Sequence, residues 1–173
     1  MQRWGALLAP GATVLDVACG SGRHLRWFAD RGTKVTGVDR DAQATEPLRD
    51  LARIVVADIE GGPWPFDGEG FDAVVVANYL WRPLLPTLVA SIADGGLLIY
   101  ETFALGNEAV GKPSNPDFLL QPGELLAAAQ ALRVLGYEDG FIDHPPRFVQ
   151  RIAAVRERSA AAEAARYPLH APG

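Results

Sequence analysis

The sequence predicts an α/β fold on a doubly wound, mostly parallel sheet of about seven strands that ends in an antiparallel hairpin. Three observations carry this. Short apolar runs alternate with helix-like stretches from the start of the chain, and the first run passes directly into a glycine-containing turn. The last two runs are joined by too few residues for a crossover, so they pair antiparallel.

The first strand is expected at Thr13–Ala18, apolar except for Asp16, as suits a strand buried on both faces. A helix over Ser21–Arg31 follows, with Leu25, Phe28 and Ala29 on one face and Gly32 placed to cap its end. Lys34–Asp39 is the second strand, Ala42–Leu51 a short polar helix, Ile54–Ala57 the third strand and Phe71–Ala77 the fourth. Leu84–Ala93 reads as a helix with Leu85, Leu88, Val89 and Ile92 on one side, and Pro83 and Pro86 fall near its start, where a missing N–H does little harm. Leu97–Phe103 is the fifth strand and Gly123–Leu132 the last crossover helix. Val134–Ile142 and Phe148–Val155, linked through Pro145-Pro146, complete the sheet. The stretch Ala104–Pro122 has no periodicity and reads as a binding loop or lid. One domain is expected over 1–156, followed by an Ala- and Pro-rich, poorly ordered tail at 157–173.

Composition narrows the function. The chain has 173 residues, 49% hydrophobic and 21% charged, the balance of a globular protein rather than a disordered one. Sixteen Lys and Arg against 21 Asp and Glu give a net charge of −5, which disfavours a nucleic-acid partner held on a broad basic face. No apolar run approaches the roughly 18 residues of a membrane span, and no leader opens the chain, so a cytoplasmic protein is expected. The lone Cys19 forms no disulfide within the chain. No metal site is expected, and the sequence offers no basis for an oligomeric state.

The chemistry is concentrated in Asp16-Val17-Ala18-Cys19-Gly20-Ser21-Gly22-Arg23-His24. A buried strand, a small-residue turn and a helix start let backbone N–H groups approach a ligand closely. Asp39 ends the second strand, well placed to accept hydrogen bonds from ribose hydroxyls. A dinucleotide fingerprint would need a third small residue where Arg23 stands, and no phosphate-binding G-x-x-x-x-G-K-[ST] loop occurs.

Asp16 followed by Ala-x-Gly-x-Gly resembles the first motif of the class I S-adenosylmethionine-dependent methyltransferases, whose Rossmann-like fold it implies. The resemblance runs on through Asp39, Ala57-Asp58-Ile59 and Phe71–Asn78, and it is similar in compactness to bacterial members near the tellurite-resistance group. It implies S-adenosylmethionine as cofactor and S-adenosylhomocysteine as product. Asp16 would hold the methionine ammonium end, which the backbone of Ala18, Gly20 and Gly22 would line. Asp39 would take the ribose diol, with Arg40 beside the adenine. Asp58 would receive the adenine amino group unless it only shapes the turn after the third strand. Ile59 would border the ring, and Asn78 would offer its carbonyl to the ammonium.

A sulfonium donor needs alignment more than acid–base chemistry. Residues following the first, fourth and fifth strands are therefore the candidates near the reacting methyl: Arg23, His24, Tyr79, Trp81, Glu101, Thr102 and Phe103. Of these, Glu101, Tyr79 and His24 are named as catalytic candidates. Each has a plainer reading: Glu101 as a structural acid, Tyr79 as packing and His24 as a solvated neutral imidazole.

Asn78-Tyr79-Leu80-Trp81 lacks the Asn/Asp-Pro-Pro-Tyr/Phe pattern of amino-methylating enzymes, and Cys19 sits in the cofactor turn rather than where a cytosine nucleophile would stand. Only Met1–Pro10 precede the first strand, too few for an N-terminal helical cap, so the Ala104–Pro122 loop is the expected cover. A small-molecule acceptor is the leading expectation. A protein or ribosomal acceptor, or a non-catalytic module that only holds the cofactor, are the alternatives.

Overall fold

The computed structural model describes residues 2–158 and 166–167. The chain runs through α1 (Gln2–Gly5), β1 (Thr13–Val17), α2 (Arg23–Ala29), β2 (Lys34–Asp39), α3 (Ala42–Thr45), β3 (Arg53–Val56) and β4 (Phe71–Ala77). It continues through α4 (Leu85–Ala90), β5 (Ile92–Phe103), α5 (Glu124–Ala128), β6 (Arg133–Asp143) and β7 (Pro146–Val155). The seven strands lie in the order β3-β2-β1-β4-β5-β7-β6. β1 to β5 are parallel, and β7 is antiparallel to both β5 and β6, as the alternation of the sequence requires. Strand order reverses between β1 and β4, and in open α/β sheets such a switch leaves a crevice beyond the carboxyl ends of the strands.

Alternating side chains build a core on each face. Val14, Val75 and Ile99 meet Leu25, Phe28 and Leu48 on one side. Leu15, Val74, Leu98 and Tyr100 meet Leu88 and Leu125 on the other. The Tyr100 hydroxyl, buried between sheet and helices, donates to the Tyr79 carbonyl at 2.8 Å.

Several helices are shorter than their apolar periodicity suggests. Asp41 caps α3 by accepting from the N–H groups of Gln43 and Ala44. Pro47 then lies in a 3₁₀ turn over Glu46–Leu48, because it has no N–H to continue the α-helical ladder. α4 ends at Ala90, and the Ser91 hydroxyl bonds back to the Thr87 carbonyl. Ile92 already pairs with Phe71, so β5 starts five residues before the expected Leu97 and absorbs the excess in an irregularity at Ala93–Gly96. A Cβ on Gly96 would lie 2.8 Å from the Phe71 carbonyl oxygen, which explains why this close strand approach carries glycine.

The segment 104–122 is tied to the body of the protein at many points. Leu119 and Leu120 are fully buried. Leu105 and Leu120 bracket the end of β5 through N–H donations from Leu105 to the Leu120 carbonyl and from Leu120 to the Phe103 carbonyl. Arg82 donates to the carbonyls of Asp117 and Leu119 and to both carboxylate oxygens of Glu124, at 2.6 to 3.0 Å. Asn107 and Gln150, both buried, close the segment from the opposite side, Asn107 bonding Pro113 and Phe148, Gln150 bonding Gln121 and Leu125. This is a strap rather than a freely hanging loop. Of the tail expected at 157–173, residues 159–165 and 168–173 lie outside the described part.

Candidate active site

Two depressions flank the switch point. The first, of about 220 Å³, is lined by Ala18, Asp39, Arg40, Asp58, Ile59 and Tyr79, among others. Backbone geometry shapes it. Ala18 after β1 and Asn78 after β4 have φ of 54° and 55°, left-handed values that cost a non-glycine residue on the order of 1 kcal/mol or more and cluster at functional sites. Gly22, at φ 78°, accommodates Leu48 where any Cβ would lie 2.5 Å from its side chain. Above Gly20 the space is open, with nothing within 4 Å of where a Cβ would stand.

Acids ring this cleft. The Asp39 carboxylate accepts the Gly20 N–H at 2.8 Å and the Asp41 N–H at 2.9 Å, which fixes its direction and ties the end of β2 to the turn after β1. Asp58 accepts from the N–H groups of Glu60 and Gly61 on one oxygen, bonds that hold its carboxyl below the usual range. It therefore both shapes the turn and leaves its second oxygen uncommitted to the backbone. Asp16 is buried, and its Oδ2 has no hydrogen-bond partner. Burial pushes its pKa up to about 7; the nearby Arg23 opposes that rise and Asp39 adds to it. Tyr79 turns its hydroxyl into this cleft beside Glu60, and burial followed by that carboxylate raises its pKa. Cys19, pushed up to about 12 chiefly by burial, is a thiol.

The second depression, of about 440 Å³, lies on the α2 side and is lined by Arg23, His24, Trp27, Phe28, Ala77, Glu101 and Arg151. The register brings Ala77, Glu101, Arg151 and Glu138 into one row across β4, β5, β7 and β6. Glu101 accepts Arg151 Nε at 2.6 Å and lies 3.7 Å from Arg147 Nη2. His24 Nε2 faces Arg23 Nη2 at 3.3 Å, and burial together with that guanidinium lowers its pKa, so the ring is neutral near pH 7.

The structure thus divides the expected residues. Asp39, Arg40, Asp58, Ile59 and Ala18 meet around the first cleft, with Tyr79 among them rather than beside Glu101. Glu101 and His24 meet in the second. Asp16 near the end of β1, and Gly20 and Gly22 in the turn that follows it, line neither depression. Trp81 packs against the opposite core, and Thr102, next to Glu101 in sequence, points to the other face of the sheet. Sequence reading missed Arg147 and Arg151, which lie on an edgeward strand far from any motif; their one signal was two Arg at i, i+4 on the last strand.

The comparisons find the chain similar to known methyltransferases in both sequence and fold. Residues 14–95 match the family described as a methyltransferase domain. A TehB-like SAM-dependent methyltransferase from Corynebacterium glutamicum superposes with a TM-score of 0.67 at 20% identity, covering 90% of this chain and 86% of that one. Ribosomal protein L11 methyltransferase from Thiobacillus denitrificans is 40% identical over 103 residues, 56% of this chain and 34% of its own length. Malonyl-[acyl-carrier protein] O-methyltransferase from Salmonella typhimurium is 33% identical over 105 residues, 56% of this chain and 41% of its own. The chain therefore spans about a third to two fifths of the length of these relatives. Over residues 14–95 it matches a methyltransferase domain, and its fold is similar to that of a solved SAM-dependent methyltransferase. Among the described residues no helix is long and apolar enough to cross a membrane.

Proposed function

We propose that the protein transfers the methyl group of S-adenosylmethionine to a small-molecule acceptor. The observation that carries the donor assignment is the buried, unpartnered Asp16 Oδ2 near the carboxyl end of β1. An unpaired buried carboxylate is costly, and a cationic ammonium group relieves that cost. The open space above Gly20 and the aimed carboxylate of Asp39 fit the same ligand.

In this reading Ala18, Gly20 and Gly22 line the methionine end with backbone, and the Asn78 carbonyl faces the ammonium. Asp39 keeps lone pairs for the ribose diol. Asp58 meets the adenine amino group, while Ile59 and Arg40 border the ring. The donor supplies an activated methyl on sulfur. The acceptor's lone pair forms the new bond to that carbon as the carbon–sulfur bond breaks, its electrons remaining on sulfur. The protein's work is alignment and exclusion of water. Neutral His24 would take a proton from an acceptor that carries one only on releasing Arg23, which its Nε2 faces. Glu101, held by Arg151, positions the floor of the second depression.

Calorimetric titration tests this reading. S-adenosylmethionine and S-adenosylhomocysteine should bind with micromolar affinity while NAD does not, and Asp39→Ala should weaken binding at least tenfold, about 1.4 kcal/mol. Absence of binding to both sulfur compounds defeats the proposal. The likeness to ribosomal protein L11 methyltransferases favours a second reading, a protein acceptor. Incubation with radiolabelled donor and either a ribosomal protein fraction or a protein-free metabolite fraction separates the two, because label follows the acceptor.

A further inference from the structure

Resting on the methyltransferase reading, we propose that the second depression selects an acceptor bearing an anionic group, a carboxylate or a phosphate monoester, attached to an apolar body.

Arg23 and Arg151 line the depression, and Arg147 stands behind it against Glu101. Arg151 projects from β7 and is committed to Glu101 and Glu138. Arg147, four residues earlier on the same face of the strand, has a buried Nε with no hydrogen-bond partner and only a 3.7 Å approach to Glu101. Arg23 overhangs from α2; among the described residues it forms no ion pair, and its Nη2 reaches only the His24 ring. Against these three cations stand Glu101 and Glu138. Asp16, the remaining acid near Arg23, keeps its proton below about pH 7 and adds no charge there. Neutral His24 adds no charge. The balance is one positive charge in excess, next to the place where a sulfonium would stand, so a cationic acceptor would be repelled and an anion drawn in.

The apolar half of the depression comes from Trp27, Phe28 and Ala77. The volume of about 440 Å³ suits a small organic molecule rather than a bare inorganic ion. Arg forks recognise carboxylate and phosphate alike through paired N–H donors.

Titration of the protein without donor, at pH 6 where Asp16 keeps its proton, by benzoate, phenyl phosphate and neutral benzamide tests the site. One of the two anions is expected to bind at least about tenfold more tightly than benzamide, and the tighter of them identifies the anionic group. Arg23→Gln, at an exposed position, and Arg147→Gln should each reduce anion binding by about fivefold or more while leaving benzamide binding unchanged. Equal affinity for benzamide and both anions, or indifference to both substitutions in folded protein, overturns the proposal. Anion binding does not require the donor, so loss of the donor reading and loss of the anion site are separately visible.

Discussion

The two depressions are built by opposite strategies. Around the first cleft, main chain does most of the shaping: left-handed Ala18 and Asn78, open space above Gly20, and carboxylates aimed by backbone N–H groups. Around the second depression, long side chains from β5 and β7 hold one another through ion pairs, and Arg23 of α2 meets the ring of its neighbour His24. A main-chain cradle requires only small residues and an acid at fixed points along one segment. A side-chain groove needs partners that the sheet brings together across fifty positions, as with Arg151 and Glu101. The first is suited to a constant ligand, and the second can change partners without disturbing the fold.

Four perturbations break or sharpen that contrast. Leu120→Ala, in the strap, should destabilise the protein by about 3 kcal/mol through loss of packing and a residual cavity. Urea unfolding should register this while the folded fraction binds S-adenosylhomocysteine as before, and weakened cofactor binding would show that strap and cradle are coupled. Arg82→Ala should cost about 2 kcal/mol, less than a fully buried pair because Arg82 is partly exposed. It should also open residues 105–118 to limited proteolysis; an unchanged digestion pattern would mean that packing of Leu119 and Leu120 alone retains the strap.

The third concerns Asp16. The folded chain holds its proton to about pH 7, against 3.8 for an ordinary aspartate. The folded state therefore binds more protons than the unfolded one across that interval, and this group's contribution makes stability fall as pH rises through it. A cationic ligand requires the ionised form, so S-adenosylmethionine affinity should rise as pH passes upward through about 7. Asp16→Asn should flatten that rise, weaken binding about tenfold at high pH and make the free protein more stable there, since no buried charge forms. Calorimetry in two buffers of different ionisation enthalpy reads the proton released on binding; none released would remove Asp16 from the ammonium site. The smallest effect is expected of Asp58→Ala, a reduction of about threefold in cofactor affinity, as befits one exposed hydrogen bond.

Legibility in the sequence follows the same division. The parallel strands and the closing antiparallel hairpin, the turn after β1 and the acids at Asp39 and Asp58 lie in continuous, strongly patterned segments, and each occupies the place expected of it in the fold. Tyr79 sorted with the first cleft because the residue after left-handed Asn78 turns away from the row containing Ala77 and Glu101, a reversal that no periodicity announces. The expected lid proved to be a strap, since its buried Leu119 and Leu120 are adjacent and show neither helical nor strand spacing. Its fastening to Arg82 spans 35 to 42 positions and has no local signature. Helix ends erred where a single residue, Pro47 or Ser91, outweighed an apolar pattern that ran past it.

That fastening has a kinetic side. Arg82 joins the approach to α4 to a segment more than thirty positions later, and the Leu105 and Leu120 amides are shared with the end of β5. Hydrogen exchange at these two amides should thus be as slow as within the central strands, requiring cooperative opening of sheet and strap together instead of local fraying. A region that looks in sequence like the most changeable part of the chain would then be among the last to admit solvent.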